Sequence, residues 1–599
     1  MKDIAGQVAA IAVSSLALCA SAVVARTPSA SEVVFEAPRG AAFGGVGFQN
    51  AEAEITALMP DDFRDQRVLK SFREISPTFS RVYAGFADCP REQADRFADY
   101  YDATFRAAGT ELYAVGGMMP FVAEDETEAY AEKVAANLAY LVKVRGCTNI
   151  HHYCMTNELG IDGQGDWYFN RMDRFRQIHA ALRAAFDRHG LQDVGLAATD
   201  VNQHVGLSLR QLDWATKNMD DITSIYCTHW YRFLGKTKDG KLILPSSPEN
   251  AATMKTHFST LVAKAAEKGK RYFVGEFGLW MPSTQGANRI MHDDTGYPLR
   301  APEHAAEGAI TLAEIALTAM NEGAYAAASW SFVDYPDPFV FEPGDTPEED
   351  AVYQSARCVY WPDRKYNKWG VFRWDSVDRD YGAYPSLYTM GWMAKLFRRG
   401  ARVMNVRVSD NSLRAGGVTN PDGSASFAVI NWGEAKTVSL VVPHPLTKPL
   451  RVYEYDSARP PINAFNDLQP AKGTVTATKG IVSLDVPAKS MTFLTTDYEN
   501  HVPAAITDIR ISDGKLVWAA NEEPEHRYYR VYRDGKQIAS TVATSLDLGG
   551  SQFTATAEDA INCVPPVFAV TSVDRWGNED RCAARRQSDT IKRQHAKGR

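Results

Sequence analysis

Between residue 43 and about residue 331, short apolar runs alternate with longer amphipathic ones. The apolar runs predict strands at 43–48, 80–85, 111–117, 150–156, 194–199, 222–228, 271–276 and 324–331. Segments with apolar residues at helical spacing lie between them, at 90–108, 126–144, 167–189, 247–268 and 302–322, and a last one follows at 386–397. Strands alternating with helices imply right-handed βαβ units and a parallel sheet. Eight strands over roughly 350 residues match a closed barrel with loop insertions. The absence of a glycine-rich phosphate loop favours closure over an open doubly wound sheet. The expected fold is therefore α/β, a (β/α)8 TIM barrel over 40–398, followed by all-β sequence.

After Arg399 the pattern changes to short β-rich runs, as in Ser426-Phe427-Ala428-Val429-Ile430-Asn431 and Val438-Ser439-Leu440-Val441-Val442. With turn residues at Asn420-Pro421-Asp422-Gly423, these predict a β-sandwich over 399–498. Pro503 opens a second all-β module, expected over 502–590. Its Trp518, the Tyr529–Gly535 hairpin and the run from Val567 to Asp574 resemble a fibronectin type III domain. The stretch 333–384 is too long for a plain βα loop and carries Tyr335, Trp361, Tyr366, Trp369 and Trp374. It would lie at the C-terminal face of the barrel, where long ordered loops shape active sites or staple themselves down.

The first 25 residues read as an export signal, with Lys2, an apolar small-residue run over 11–24, and a cleavage site at Ala20-Ser21-Ala22 or Val23-Val24-Ala25. The run is too short to span a bilayer comfortably, and no later stretch resembles a transmembrane helix. The mature chain is thus expected to be secreted or periplasmic and without a membrane span. Lysine and arginine number 65 against 73 acidic residues, a net charge of −8. No basic excess is available for phosphates, which argues against a nucleic-acid partner. Seven of the 8 cysteines lie beyond Cys19 without CxxC spacing, so a metal cage or redox motif is not expected. Cys563 and Cys582 could form a disulfide in an oxidising compartment; the others read as buried thiols.

Two segments carry candidate chemistry. The run from Ile150 to Glu158 ends the fourth barrel strand in Asn157-Glu158, and Tyr272-Phe273-Val274-Gly275-Glu276-Phe277-Gly278 ends the seventh in a glutamate flanked by glycines. A parallel barrel brings the C-terminal ends of its strands together, so two such carboxyl groups can face one substrate. Retaining cleavage of a glycosidic bond needs them about 5–5.5 Å apart.

These segments resemble the retaining glycosidases of glycoside hydrolase clan A, such as the family 5 cellulases and mannanases and the family 39 xylosidases. The resemblance implies that Glu158 is the acid/base, Glu276 the nucleophile, and Asn157 a hydrogen-bond partner of the substrate 2-hydroxyl. Further positions agree in order. His229-Trp230-Tyr231 at strand six matches a His-x-Tyr in which the tyrosine contacts the nucleophile and the histidine reaches the site. Arg81 on strand two matches an arginine that keeps the nucleophile ionised, and Trp330 on strand eight a stacking platform for sugar. Strand three, ending Val115-Gly116-Gly117-Met118-Met119-Pro120, lacks the substrate-contacting histidine common in family 5. The implied function is retaining hydrolysis of a β-linked poly- or oligosaccharide of glucan or mannan type, with a carbohydrate substrate and no metal or organic cofactor. A non-catalytic carbohydrate-binding or adhesion protein with a decayed barrel, and a transglycosylase using the same residues, remain the alternatives.

Overall fold

A computed structural model describes residues 31–38, 40–50, 60–83, 86, 89–116, 122–159, 171–201, 207–233, 247–280, 306–333, 370–372, 382–443, 446, 448–549 and 567–580. The expected export signal, Cys358, Cys563, Cys582 and the five aromatic residues named in the 333–384 stretch lie outside these residues.

Strands β2 (Gly45–Gln49), β3 (Phe79–Tyr83), β4 (Glu111–Val115), β5 (Ile150–Cys154), β6 (Gly195–Val201), β7 (Ile225–Phe233), β8 (Tyr272–Trp280) and β9 (Ala326–Ser329) form a closed barrel. All neighbours are parallel, and β9 closes on β2 from Gly45↔Ala326 to Phe48↔Ser329. Each strand is followed by a helix: α1 (Leu69–Ile75), α2 (Arg91–Tyr101), α3 (Thr127–Ala139), α4 (Met172–Arg188), α5 (Leu207–Asn218), α6 (Pro248–Ala266), α7 (Ala306–Asn321) and α8 (Leu387–Leu396). Local sequence sets their ends. At α6, Ser247 caps the helix by accepting from the Asn250 amide at 3.2 Å, and Pro248 takes the first turn, where its missing N–H costs nothing.

The sequence pattern places the eight strands but not all of their ends. Strands β7 and β8 run on to Phe233 and Trp280, paired from Tyr226↔Tyr272 to Phe233↔Trp280. Their β-favouring residues, His229-Trp230-Tyr231 against Phe277-Gly278-Leu279, let the ladder continue. Helices α1 and α5 were not singled out from the sequence, because α1 is short and α5 mixes its apolar positions with Ser, Arg, Gln, Asp and Lys.

The barrel interior is packed in layers. At the N-terminal end, the Glu111 carboxylate contacts His152 Nε2 at 2.9 Å and accepts from Tyr325 Oη at 2.7 Å. Above it, Phe273 packs against Tyr113 and Phe79, with ring centroids 4.8 and 5.4 Å apart. Two bulges then re-aim side chains. In β6 the register slips between Thr199 and Val201, leaving Asp200 as the extra residue, and in β8 it slips around Gly275, just before Glu276.

A nine-stranded mixed sheet follows, ordered β15-β14-β17-β12-β11-β10-β1-β13-β16. Its strands are β1 (Glu32–Pro38), β10 (Arg402–Val408), β11 (Leu413–Thr419), β12 (Ala425–Asn431), β13 (Lys436–Val441), β14 (Leu450–Asp456), β15 (Gly473–Val475), β16 (Ile481–Val486) and β17 (Ser490–Thr495). The N-terminal strand β1 was not expected there. It lies antiparallel to β10 and parallel to β13, carrying Val33 and Phe35 into a core with Phe427, Leu440 and Leu494. Strands β18 (Arg510–Ser512), β19 (Lys515–Val517) and β22 (Ser545–Asp547) make a small sheet, and β20 (His526–Arg533), β21 (Lys536–Thr541) and β23 (Phe568–Asp574) a second. Trp518, Tyr529, Val531 and Val570 fill the core between these two. Among the described residues, no helix is long and apolar enough to cross a membrane.

Phe35 is buried, with its ring centroid 4.7 Å from that of Phe427. Phe35→Ala should lower unfolding free energy by about 3–5 kcal/mol, the usual cost of emptying a core phenylalanine site. Urea unfolding checks it, and a loss below about 1 kcal/mol would detach β1 from that core.

Candidate active site

Six of the seven residues singled out from the sequence converge at the C-terminal mouth of the barrel. Arg81, on β3, is fully buried, and each of its terminal nitrogens serves two acceptors. Nη1 donates to Glu276 Oε1 at 2.5 Å and to Gln49 Oε1 at 2.8 Å. Nη2 donates to Asn157 Oδ1 at 2.6 Å and to Asp200 Oδ2 at 2.8 Å. Its guanidinium lies over the rings of Tyr83 and Tyr113, 5.0 and 5.6 Å from their centroids. Glu276, on β8, takes a second hydrogen bond from Tyr231 Oη at 2.6 Å on Oε2. His229, on β7, joins the two glutamates: Nδ1 is 2.8 Å from Glu158 Oε1 and 3.3 Å from Glu276 Oε2, while Nε2 is 2.9 Å from Asp200 Oδ1. Trp330, the seventh, lies at the border of this network, edge-on to Tyr83 at 5.9 Å.

Backbone geometry helps to place the acids. Glu158 and Asp200 have φ of 46° and 51°, in the left-handed region that few non-glycine residues adopt. Such a residue costs of order 1–3 kcal/mol and persists where its surroundings over-determine it, as at ligand sites. Gly275 lets two strands approach: a Cβ there would stand 2.9 Å from Asp200 Oδ1 and 3.2 Å from the His229 ring. Only glycine leaves room for the Asp200–His229 pair against the β8 bulge.

Asp200 and Gln49 are functional candidates that sequence reasoning missed. Asp200 stands in Gly195-Leu196-Ala197-Ala198-Thr199-Asp200-Val201, a carboxylate at the C-terminal end of an apolar strand. The rule that selects Glu158 and Glu276 would also have selected it, had the fifth strand been drawn past Thr199. Gln49 ends β2 and carries no charge to mark it.

The electrostatics follow from burial and pairing. Three carboxylates, Glu158, Asp200 and Glu276, are buried with two cations, Arg81 and His229. Burial pushes the Glu158 carboxyl up to about 7, against the hydrogen bond from His229 and with help from Glu276 and Asp200. Burial would neutralise His229, but Glu276 and Asp200 outweigh it and hold the imidazole protonated up to about 10. Burial also opposes ionisation of Asp200, and Arg81 and His229 overcome it, keeping that carboxyl well below the usual range. With one proton on Glu158, two negative charges face two positive ones.

The ligand atoms of Glu158, His229 and Glu276 lie within 4.8 Å of one another. That spacing could seat a divalent cation, but the His229 proton and the Arg81 guanidinium already compensate these carboxylates, which makes them a poor donor set.

No family model matches the chain, and no curated protein sequence matches it. Solved structures match its fold. A family 51 arabinofuranosidase from Xanthomonas axonopodis pv. citri aligns with a TM-score of 0.51 at 12% identity, over 78% of this chain and 99% of that one. AbfB, a family 51 α-L-arabinofuranosidase from Bifidobacterium longum, aligns with a TM-score of 0.51 at 13% identity, over 78% and 100%. A conserved exported protein from Bacteroides fragilis aligns with a TM-score of 0.50 at 12% identity, over 78% and 100%. At such identities the likeness is one of fold.

His229 binds its proton more tightly in the folded chain than its ordinary value of 6.5 allows, so the stability it adds is complete below that pH and is lost as pH rises towards about 10. Glu158, with a folded value of about 7 against 4.5, adds a loss of the same sign between those two pH values. Unfolding free energy from urea titrations should therefore fall as pH rises through this range. In Asp200→Asn the fall above neutrality should shrink, since His229 loses a carboxylate partner; an unchanged pH profile would contradict the pairing.

Proposed function

We propose that this chain is a retaining glycoside hydrolase acting on a β-linked poly- or oligosaccharide, with Glu158 as acid/base and Glu276 as nucleophile. The observation that carries the reading is the approach of the two carboxyl groups, with oxygens within 4.8 Å. Retaining enzymes hold them about 5–5.5 Å apart, whereas inverting enzymes leave roughly 6.5–9.5 Å to admit a water. Their unequal surroundings support this division of roles. Glu276, held by Arg81 and Tyr231, is the anionic partner. Glu158, buried and beside two other carboxylates, keeps a proton near neutrality.

In the first step Glu276 attacks the anomeric carbon, the glycosidic C–O bond breaks, and the departing oxygen takes the Glu158 proton. His229 donates to Glu158 Oε1, which leaves Oε2 to carry that proton. In the second step Glu158, now a carboxylate, removes a proton from water, whose oxygen displaces Glu276 from the sugar and regenerates both groups. Asn157, fixed by Arg81, is placed to meet a hydroxyl next to the reacting carbon. Asp200 is a positioning residue: by holding Arg81 and the protonated His229, it sets the charge that both glutamates feel. Trp330, at the border of the network, is the proposed sugar platform.

The export signal expected from the first 25 residues and the fold likeness to an exported protein support action outside the cytoplasm. The pairing of β18-β19-β22 and β21-β20-β23 supports a fibronectin type III-like module over 502–590.

A screen over β-glucans, mannans, xylans and aryl β-glycosides should find a substrate released with retained anomeric configuration. On that substrate Glu158→Gln should cost about 10²- to 10⁴-fold in kcat/KM, and Glu276→Gln at least as much. The rate should fall as pH rises through about 7, where Glu158 loses its proton. Full activity in Glu276→Gln, or an inverted product, would overturn the assignment.

A further inference from the structure

At the opposite end of the barrel, a cavity of about 150 Å³ opens where the barrel, the nine-stranded sheet and the C-terminal small sheets meet. Lys395 in the last turn of α8, Arg398 just past it, Arg527 on β20 and Arg575 just past β23 line it. Four cations thus line the cavity against two carboxylates, Glu74 and Asp497. Both acids are committed. Glu74 pairs with Lys70 at 2.8 Å and accepts from the Leu468 amide at 3.1 Å. Asp497 divides its oxygens between Arg398 at 2.7 Å and Arg575 at 3.1 Å. At the margin, Glu525 reaches Arg527 and Arg575 only at 3.8 and 3.7 Å, and Asp422 reaches Arg398 at 3.5 Å. Lys395 donates to the carbonyl oxygen of Glu74 and has no carboxylate partner among the described residues. A lysine in the last turn of a helix is ordinary dipole compensation. It does not account for the three guanidinium groups on the same lining, of which Arg398 and Arg575 share Asp497 and Arg527 donates through Nη1 to the carbonyl oxygens of Pro524 and His526 at 2.9 and 2.8 Å.

The unpaired groups of the lining share one chemical character. Trp392 Nε1, Arg398 Nε and Trp576 Nε1 are buried and have no acceptor among the described residues. All three are N–H donors, and none can accept. Buried donors ordinarily find partners, so the occupant these walls fit is small, negatively charged and rich in acceptor oxygens. Burial pushes the Lys395 ammonium down to about 8, opposed by Glu74 and Asp497 and aided by Arg527 and Arg575.

We propose that this three-way junction is a binding site for a small oxyanion, either free phosphate or the acidic group of a sugar acid. Its bonds would span α8, the barrel rim and the C-terminal sheets, so occupancy would tie these parts together far from the catalytic glutamates.

Titration calorimetry and thermal unfolding of the full chain test it, using sodium phosphate and sodium glucuronate against sodium chloride at matched ionic strength. Phosphate, glucuronate or both should bind at one site and raise the melting temperature beyond the chloride control; which of them does so names the source. Lys395→Met and Arg527→Gln should each weaken that binding about tenfold or more, as loss of a charge-assisted hydrogen bond does. Arg527→Gln alters a partly exposed residue and serves alone should Lys395→Met not fold. If neither anion outperforms chloride, or if Arg527→Gln binds as tightly as the parent, the site is refuted.

Discussion

The barrel mouth holds more acid than an apolar interior tolerates, and the Arg81 guanidinium makes that arrangement stable. An unpaired buried carboxylate costs several kcal/mol or gives up its charge. Here one guanidinium is shared among Glu276, Asp200, Asn157 and Gln49, from four different strands or strand ends. With His229 as second cation, the cluster compensates two of its three carboxylates. The third keeps a proton: the Arg81 guanidinium is taken up by Asp200 and Glu276, and burial pushes the Glu158 carboxyl up. In the proposed reading, proton donor and charged nucleophile arise from one charge balance, in which each group's state depends on the others.

The backbone is arranged to serve that balance. A regular strand sends alternate side chains to opposite faces. The bulges at Asp200 and beside Gly275 break this alternation at the level where Arg81 lies, bringing Asp200 and Glu276 inward together. The absence of a side chain at Gly275 is what lets Asp200 and His229 meet. Lower layers of aromatic rings and the Glu111–His152–Tyr325 group close the barrel beneath, so the charged cluster rests on packed side chains.

Much of this was legible in the sequence, for physical reasons. Parallel strands buried on both faces read as apolar runs, and a carboxylate ending such a run stands out; this located Glu276 on β8 and Glu158, which the structure places four residues past the end of β5. Arg81, His229 and Tyr231 were placed by motif resemblance, and each proves to touch a glutamate of the pair. What escaped was set by register. Asp200 was lost because a bulge prolongs its strand past the point where the apolar pattern stops, and a bulge leaves little trace beyond a glycine or an aspartate. The place of β1 beside β10 and β13 was equally hidden, since a pairing between residues almost 400 positions apart has no local signature.

The proposed mechanism requires Glu276 to be the group that bonds to sugar. A fluorosugar inactivator of the best substrate's glycone slows the second step and lets the glycosyl-enzyme accumulate. Peptide mass spectrometry of the trapped protein should then place one sugar on the peptide containing Gly275-Glu276-Phe277, through an ester at Glu276. Sugar attached at any other carboxylate, Glu158 or Asp200 included, would contradict it.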